Sequence, residues 1–424
     1  MNPVFQFIAA SIIVILVMGF TVYEVTTASI LQLNQPSSQQ LQPLADRLMD
    51  NFILSSGYPS DWGNPTVNLS MIHDFGLALV SSSISSYTLD VYKINRIING
   101  SFVNNNLYIP PSITGALLGI YQQGHFNYGF EFRLVPALKI TIANITNSKF
   151  NISVTNINNL PASNALVNAS FFTFCVITKQ TGNSLSVSNY NVNVSKAFNE
   201  TNLHGWTIIS LQPPSQNCSS KGNSITTASI LFVAADYYGL RYQTFLSTPS
   251  ICIAQMIIQG QYLVANLTSK SNPNCQIGQS NNGALFTQTE VFEVTQSLNT
   301  NVVSATTCSN SAPPCSLLSN GNNNYKVFNL SYAPSQDVIF AGVLVTKNQG
   351  NNNKVYMVVA SNPITPSGVI EYSADSLTTS QYLASQSRGL IFANVTAATT
   401  DTRLVNLGGN TWIAYLSVWE MGQS

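Results

Sequence analysis

The sequence predicts a mainly β protein in which antiparallel β-sandwich domains of the immunoglobulin-like kind follow a transmembrane-type α-helix and a short second helix. Three observations support this prediction. Residues 4–23 carry no charge, and beyond Trp62 apolar residues recur at every second position. Clusters of Asn, Gly, Ser and Pro also separate short runs rich in Val, Ile, Thr and aromatic residues. Alternating runs divided by turn residues are typical of antiparallel sandwiches.

The N-terminal stretch from Val4 to Tyr23 is long enough to span a bilayer. Its twenty uncharged residues, at 1.5 Å each in a helix, match the ~30 Å hydrocarbon core. A cleavable signal peptide has a basic leader and an apolar run of only ~7–15 residues, and here no Lys or Arg precedes Val4. We therefore expect a retained helix, as a membrane anchor or a filament core. The alternatives are an export signal cleaved after Ala28 and a buried core helix.

A connector and a short amphipathic helix follow. Pro36 and Pro43 interrupt any continuous helix, whereas Leu44, Leu48 and Phe52 recur at helical spacing. We expect this helix to carry Pro43 in its first turn and to end near Gly57. Its apolar stripe is expected to pack on the following domain, with packing on a neighbouring subunit as the alternative.

The remaining chain divides into two β-rich halves at residues 247–250, where the sequence LSTPS interrupts the strand pattern. The loop NQGNNN between Val345 and Val355 has the Asn and Gly residues that a hairpin needs. The predicted organisation is an N-terminal hydrophobic helix (1–25), a connector with the short helix (26–63) and two β-sandwich domains (64–248 and 249–424).

The composition indicates an exterior location. Only 8% of the 424 residues are charged, against ~25% in an ordinary soluble protein, and 48 Asn with 85 Ser and Thr take their place. A polar but uncharged surface changes little as carboxylates protonate, which suits an acidic or harsh exterior. The 16 Lys and Arg form no basic patch, so nucleic acid is not an expected partner.

The six cysteines favour three disulfides in an oxidising compartment. None forms a CxxC metal motif, and six free buried thiols are the alternative. Cys308 with Cys315 is the first expected pair because it closes a short loop. Cys252 with Cys275 and Cys175 with Cys218 follow as sequence neighbours, although six cysteines allow fifteen pairings.

Eleven asparagines stand in N-x-S/T sequons and are candidates for N-glycosylation. Their number is close to the ~10 expected by chance in a chain so rich in Asn, Ser and Thr, so the count by itself carries no weight. The candidates are Asn68, Asn99, Asn144, Asn151, Asn168, Asn193, Asn199, Asn217, Asn266, Asn329 and Asn394.

The search for chemistry predicts no catalytic, cofactor-binding or metal site, and the chain is not expected to be an enzyme. None of the three histidines, His73, His125 and His204, stands in a catalytic motif. His73 beside Asp74 is interpreted as a turn or surface pair. The aromatic cluster from Tyr121 to Phe132 is expected to pack in a core, with stacking on a sugar or on a partner surface as the alternative.

The first 63 residues resemble archaeal pilin-like and membrane-anchored surface proteins. The resemblance is carried by the apolar N-terminal helix, the second short helix and the sequence Gly57-Tyr58-Pro59-Ser60-Asp61-Trp62-Gly63, since a G-x-P-x-x-W turn often follows the N-terminal helices in that group. It implies a Ser, Thr and Asn-rich β head outside the cell. The chain differs from prepilins in having no basic leader before Val4.

The expected function is that of an extracellular structural surface protein, a membrane-anchored or filament-forming subunit acting through self-assembly or adhesion. Its N-terminus is expected inside and its C-terminal body outside a single-pass membrane. Expected partners are the membrane, other copies of the chain and other surface-layer or pilus proteins. A viral envelope spike, an anchored adhesin that binds a host or a glycan, and a stalked extracellular hydrolase remain as alternatives.

Overall fold

The chain folds as a mainly β protein with predominantly antiparallel sheets, which confirms the predicted fold class at that level. The computed structural model describes residues 38–80, 87–98, 107–122, 124–146, 148–181, 184–212, 224–247, 252–266, 286–294, 300–308, 313–319, 325–333, 336, 339–346, 354–360, 369–374 and 395–421. The helix predicted over residues 1–25 lies outside these ranges. Within them, no helix is both long and apolar enough to cross a lipid bilayer.

The regular elements of the described residues are four α-helices, one 3-10 helix and 21 strands. The helices are α1 (Ser38–Leu54), the 3-10 helix (Leu69–Met71), α2 (Val91–Ile97), α3 (Pro111–Leu117) and α4 (Cys315–Ser319). The strands are β1 (Thr88–Leu89), β2 (Tyr121–Gln122), β3 (His125–Phe126), β4 (Tyr128–Pro136), β5 (Leu138–Thr146), β6 (Lys149–Asn156), β7 (Leu166–Thr181), β8 (Ser184–Glu200), β9 (Trp206–Ser210), β10 (Ser224–Tyr237), β11 (Leu240–Ser247), β12 (Cys252–Gln259), β13 (Tyr262–Asn266), β14 (Phe286–Val294), β15 (Thr300–Thr307), β16 (Tyr325–Leu330), β17 (Ile339–Thr346), β18 (Lys354–Ala360), β19 (Ile370–Ser373), β20 (Val395–Leu407) and β21 (Asn410–Met421).

The amphipathic helix α1 packs in the chain's own core. Leu48, Met49, Phe52 and Ile53 are fully buried, and the helix lies against β20 and β21. It begins five residues before Pro43, which therefore lies inside the helix and not in its first turn. Proline has no N–H to donate to the carbonyl four residues earlier, so Pro43 removes one hydrogen bond near a helix end whose apolar stripe is held by packing.

A five-stranded sheet supports α1. Its strand order is β1-β20-β21-β4-β19, antiparallel except for the short β1–β20 pair. Alternate residues of β4 and β21 are buried against the helix, including Phe130, Phe132 and Leu416. The strands come from both sides of the boundary predicted at residues 247–250, so the first and last parts of the described chain share one core.

Two further antiparallel sheets pack face to face and form a sandwich within the first predicted β domain. Their orders are β11-β10-β7-β8 and β5-β6-β9. Phe150, Ile152 and Ile209 of one sheet meet Val167, Phe171 and Leu231 of the other in a common core. Phe172 and Phe174 are also buried, on the other face of β7. Both faces of this strand are therefore covered, which explains the sequence FFTFCVI, in which Thr173 alone is polar.

Strands β12 to β18 form a closed barrel with the order β12-β13-β16-β15-β14-β17-β18. The pair β12–β18 is parallel and closes the ring, while the other pairs are antiparallel. Strands β17 and β18 pair on either side of NQGNNN, in the arrangement that a hairpin requires. A closed barrel is not among the architectures that the sequence predicts for this half.

Candidate functional site

The turn after α1 is the best-defined site that the sequence pointed to. Gly57 has a φ of +69°, and a Cβ atom at this position would lie 2.6 Å from the carbonyl oxygen of Asp74. Only glycine meets both conditions without strain. Tyr58 pairs with Asp74 through its backbone, and the buried indole of Trp62 donates from Nε1 to the Gly76 oxygen at 3.0 Å. The G-x-P-x-x-W sequence is therefore a tight turn closed against residues 72–78.

Two fully buried cations on α2 lie against Trp62. The Nζ atom of Lys93 is 5.7 Å from the indole centroid and the Cζ atom of Arg96 is 5.9 Å from it. Cations near an aromatic face are attracted by the ring quadrupole, and more strongly where water is excluded. The two side chains lie three residues apart and so share one face of the helix. That face is directed at the turn.

Lys93 connects the turn to the segment that follows it. Its Nζ donates to the carbonyl oxygens of Ser56 at 2.9 Å and Ala78 at 2.8 Å. Burial lowers the pKa of Lys93 to about 8, and the charges of Asp90 and Asp61 oppose that shift. The ammonium is thus held by main-chain oxygens of the two segments that flank Gly57 to Gly76.

Arg96 donates to main-chain carbonyl groups of the turn, of the segment that follows it and of Leu107. It donates to the main-chain oxygens of Leu107 at 2.8 Å, Val67 at 2.9 Å, Asn64 at 3.3 Å and Trp62. Its Nη2 finds no hydrogen-bond partner among the described residues. Burial lowers the pKa of Arg96 to about 10, so the guanidinium stays charged at neutral pH.

The same cluster joins α2 to the barrel. Asp90 caps α2 by accepting from the Tyr92 N–H at 2.9 Å, and it also accepts from Gln336 at 2.9 Å. Burial raises the pKa of Asp90, while Lys93, 3.9 Å away, opposes that rise. The fully buried Gln259 of β12 donates to the main-chain oxygens of Tyr92 at 2.9 Å and of Gly63.

This arrangement is suited to holding segments together. Within the described residues, each hydrogen bond that the two cations donate ends on a main-chain carbonyl, so their charge compensates the backbone of the turn and its neighbours. The sequence contained a signal for the cluster that composition alone did not reveal. Asp90, Lys93 and Arg96 recur every third residue among the apolar residues of DVYKINRII, in a chain with few charges.

The histidines lie in different parts of the described structure. The exposed ring of His73 stacks on Tyr58 with the centroids 6.1 Å apart, at the surface of the turn. His204 is exposed in the turn between β8 and β9. The side chain of His125 lies outside the described part of the structure. The nearby Phe130 and Phe132 are buried in the core beneath α1.

One predicted disulfide is observed. Cys308 and Cys315 are bonded, with their Cα atoms 6.0 Å apart. Cys175 is buried and disulfide-bonded too, and Cys252 begins β12. Cys218 and Cys275 lie outside the described residues, so the pairs Cys175–Cys218 and Cys252–Cys275 stay predictions.

The sequons differ in how far their side chains reach solvent. The side chains of Asn68, Asn144 and Asn199 are exposed, and those of Asn151, Asn168, Asn193 and Asn329 are half-buried. Asn266 ends β13, but its side chain is outside the described part of the structure, as are the residues Asn99, Asn217 and Asn394. Glycosylation of any of these positions remains a prediction.

In comparisons with known proteins, no protein-family model matches this chain and no curated sequence gives a significant match. The resemblance to archaeal pilin-like proteins therefore stays a prediction.

Proposed function

We propose that this chain is an extracellular structural surface protein, a membrane-anchored or filament-forming subunit. In this proposal residues 4–23 form a helix in a bilayer or in the core of a filament. The β-rich body lies outside, where it meets other copies of the chain or other surface-layer or pilus proteins. Its sandwich is of the immunoglobulin-like kind, and its role is structural and not enzymatic.

The observation that carries the proposal is the packing of α1 in the core of the β-rich body. Only residues 24–37 separate the uncharged segment from Ser38, where α1 begins. Pulling α1 away would expose four large, fully buried side chains, Leu48, Met49, Phe52 and Ile53. At about 1.5–3 kcal/mol each, this costs roughly 6–12 kcal/mol, which is comparable to the stability of a whole domain. A load on the N-terminal segment would therefore reach the core of the body directly.

The buried cluster around Trp62 extends this connection. Lys93 and Arg96 tie the turn after α1 to α2, and Gln259 ties α2 to the barrel. A subunit held at one end benefits when the elements next to the attachment are joined to the rest of the molecule. The scarcity of charge and the resemblance of the first 63 residues support the same role.

The experiment that tests the proposal is fractionation of the cell or particle that produces the protein, followed by site-specific release. A protease site is inserted between Asn34 and Gln35, outside the described body. We expect the uncut chain to sediment with membranes or filaments and cleavage to release a folded soluble body. The control carries the same site in the exposed turn at Tyr238 and Gly239, where cleavage should nick the chain without releasing it. A chain that is soluble before cleavage contradicts the proposal.

A further inference from the structure

The outer face of the β5-β6-β9 sheet carries two neighbouring large apolar side chains on β9, Trp206 and Ile208. Phe150, Ile152 and Ile209 point into the sandwich core. Because side chains alternate along a strand, every second residue of β6 and β9 points outward. Among these, Trp206 is 40% exposed and Ile208 is 44% exposed. The other three tryptophans of the chain are buried. Trp206 and Ile208 therefore form an adjacent pair of partly exposed apolar side chains on this face.

Two sequons lie on either side of this apolar pair. On β6, Asn151 is the register partner of Ile208, and Ser153, the hydroxyl residue of the same sequon, is the partner of Trp206. Directly opposed residues have Cβ atoms ~4.5–5.5 Å apart, and diagonal neighbours are still within reach of an aromatic ring. From β8, the Nδ2 of Asn199 donates to the main-chain oxygen of Ile208 at 3.4 Å. Both asparagines therefore adjoin the pair.

The two asparagines differ in how far their side chains reach solvent. The Oδ1 of Asn151 is buried and finds no hydrogen-bond partner within the described part of the chain, while the side chain as a whole is only half-buried. The Asn151 side chain is therefore partly accessible at the position next to the apolar pair. The exposed Asn199 has its hydroxyl partner Thr201 buried, where it donates to the Ala162 oxygen at 2.6 Å. A sugar on Asn199 would therefore have to be attached before the chain folds.

We propose that Asn151 and Asn199 carry N-linked glycans and that these glycans cover Trp206 and Ile208. The proposal rests on the proposed function, because an exported chain meets the glycosylation machinery. The apolar C–H face of a pyranose stacks on an indole, so the first sugars have a surface to pack on. The placement of these two sequons, and not the number of sequons in the chain, carries the inference. This face is then sugar-covered and is not a protein contact.

The modification is a single group transfer. The donor is a polyprenol phosphate or pyrophosphate that carries an oligosaccharide. A bond forms between Nδ2 of the asparagine and the anomeric carbon of the sugar, and the bond from that carbon to the donor's phosphate oxygen breaks. The amide nitrogen loses one proton, which leaves with the released lipid phosphate. No oxidant or reductant takes part.

The first test is site-localising glycopeptide mass spectrometry of the protein isolated from its natural source. We expect sugar masses on Asn151 and Asn199. If Asn68 and Asn144 carry sugars while Asn151 and Asn199 are bare, the inference is overturned and the proposed function stands. If all sequons are bare, the inference is also overturned. The membrane or filament association is judged separately, from the fractionation described above.

The second test asks whether the sugars cover the indole. Because Trp206 is the only exposed tryptophan, acrylamide quenching of tryptophan fluorescence reports on it. The double variant Asn151→Gln with Asn199→Gln, produced in the natural source, should be quenched more than the parent. The control double variant, Asn68→Gln with Asn144→Gln, should match the parent.

Two further variants keep this test decisive. Ser153→Ala removes the sequon at Asn151 without changing that asparagine, and it should also raise the quenching of Trp206. It takes the place of the glutamine variant if that variant does not fold. Trp206→Phe should abolish the difference between the parent and the sequon variants. Equal quenching of the parent and the Asn151, Asn199 variant would show that the sugars do not cover Trp206.

Discussion

Replacing Phe52 by alanine tests whether α1 is part of the core of the body. The Phe52 ring is fully buried, with its centroid 4.7 Å from that of Phe132, 5.0 Å from Phe75 and 5.8 Å from Phe130. These contacts join α1 to the segment after the turn and to β4. Removing a buried phenylalanine costs about 3–5 kcal/mol, from lost burial and from the cavity left behind. We expect about 4 kcal/mol for Phe52→Ala, a large share of a typical stability of about 5–15 kcal/mol.

The assay is urea denaturation of the full chain in mild detergent, followed by far-UV circular dichroism. The matched control is Leu54→Ala, because Leu54 ends the same helix but is 52% exposed. A substitution at such a surface position should change the free energy of unfolding by no more than about 0.5 kcal/mol. If Phe52→Ala lowers the free energy of unfolding no more than Leu54→Ala does, α1 is not held in the core of the body.

Three further predictions concern the turn and the buried cations. Gly57→Ala should lower the free energy of unfolding by about 2–4 kcal/mol, because the left-handed φ is strained for alanine and the new Cβ meets a main-chain oxygen. The control Gly239→Ala, with a φ of +82° and open space around it, should lower it by about 1 kcal/mol. Equal shifts in the thermal unfolding temperature of the two variants would contradict this prediction. Arg96→Met should lower the free energy of unfolding by about 3–5 kcal/mol, because it leaves buried carbonyl groups without a donor. The control Arg47→Met, on the exposed face of α1, should lower it by about 0.5 kcal/mol or less. Similar urea midpoints for the two variants would refute the role assigned to Arg96. Between pH 8 and pH 10.5, the free energy of unfolding of the parent chain should rise by about 3 kcal/mol relative to that of Lys93→Met. The reason is that the unfolded lysine keeps its proton up to its ordinary pKa of 10.5, while the folded one loses it near 8. A difference between the two proteins that stays flat or falls over this pH range would contradict the prediction.

Local features of the fold could be predicted from the sequence. The helical spacing of Leu44, Leu48 and Phe52 identified α1, because a stripe of apolar residues has one stable place, against a core. The alternation in β5, β6 and β9 identified half-buried strands, since one face of each meets the sandwich core. The Cys308–Cys315 disulfide was also predictable, because it closes a short loop.

The long-range pairing could not be predicted from the same patterns. The local sequence of β4, from Tyr128 to Pro136, gives no sign that this strand pairs with β21 and β19, since strand pairing over hundreds of residues leaves no local periodicity. The closure of the barrel depends on the single parallel pair β12–β18. Such a pair requires a long crossover and carries no turn signal.

The buried cations were missed for a different reason. Lys and Arg are almost never fully buried unless paired, so sequence patterns assign them to the surface. Lys93 and Arg96 are buried because main-chain carbonyls of the turn after α1 and of the segment that follows it accept their hydrogen bonds. The positions of those carbonyls relative to Lys93 and Arg96 depend on how the chain folds around Trp62, so no local sequence pattern indicates them.

The central claim, that residues 4–23 stay attached and hold the body in a membrane or filament, is tested most directly by the intact mass and N-terminal peptide of the native protein. The measurement is made on the membrane or filament fraction and on the soluble fraction, before and after reduction. The account predicts a chain that retains Val4 to Tyr23, found in the membrane or filament fraction, with a gain of about 6 Da on reduction of three disulfides. A mature chain that begins near Ser29 and is found in the soluble fraction would contradict it.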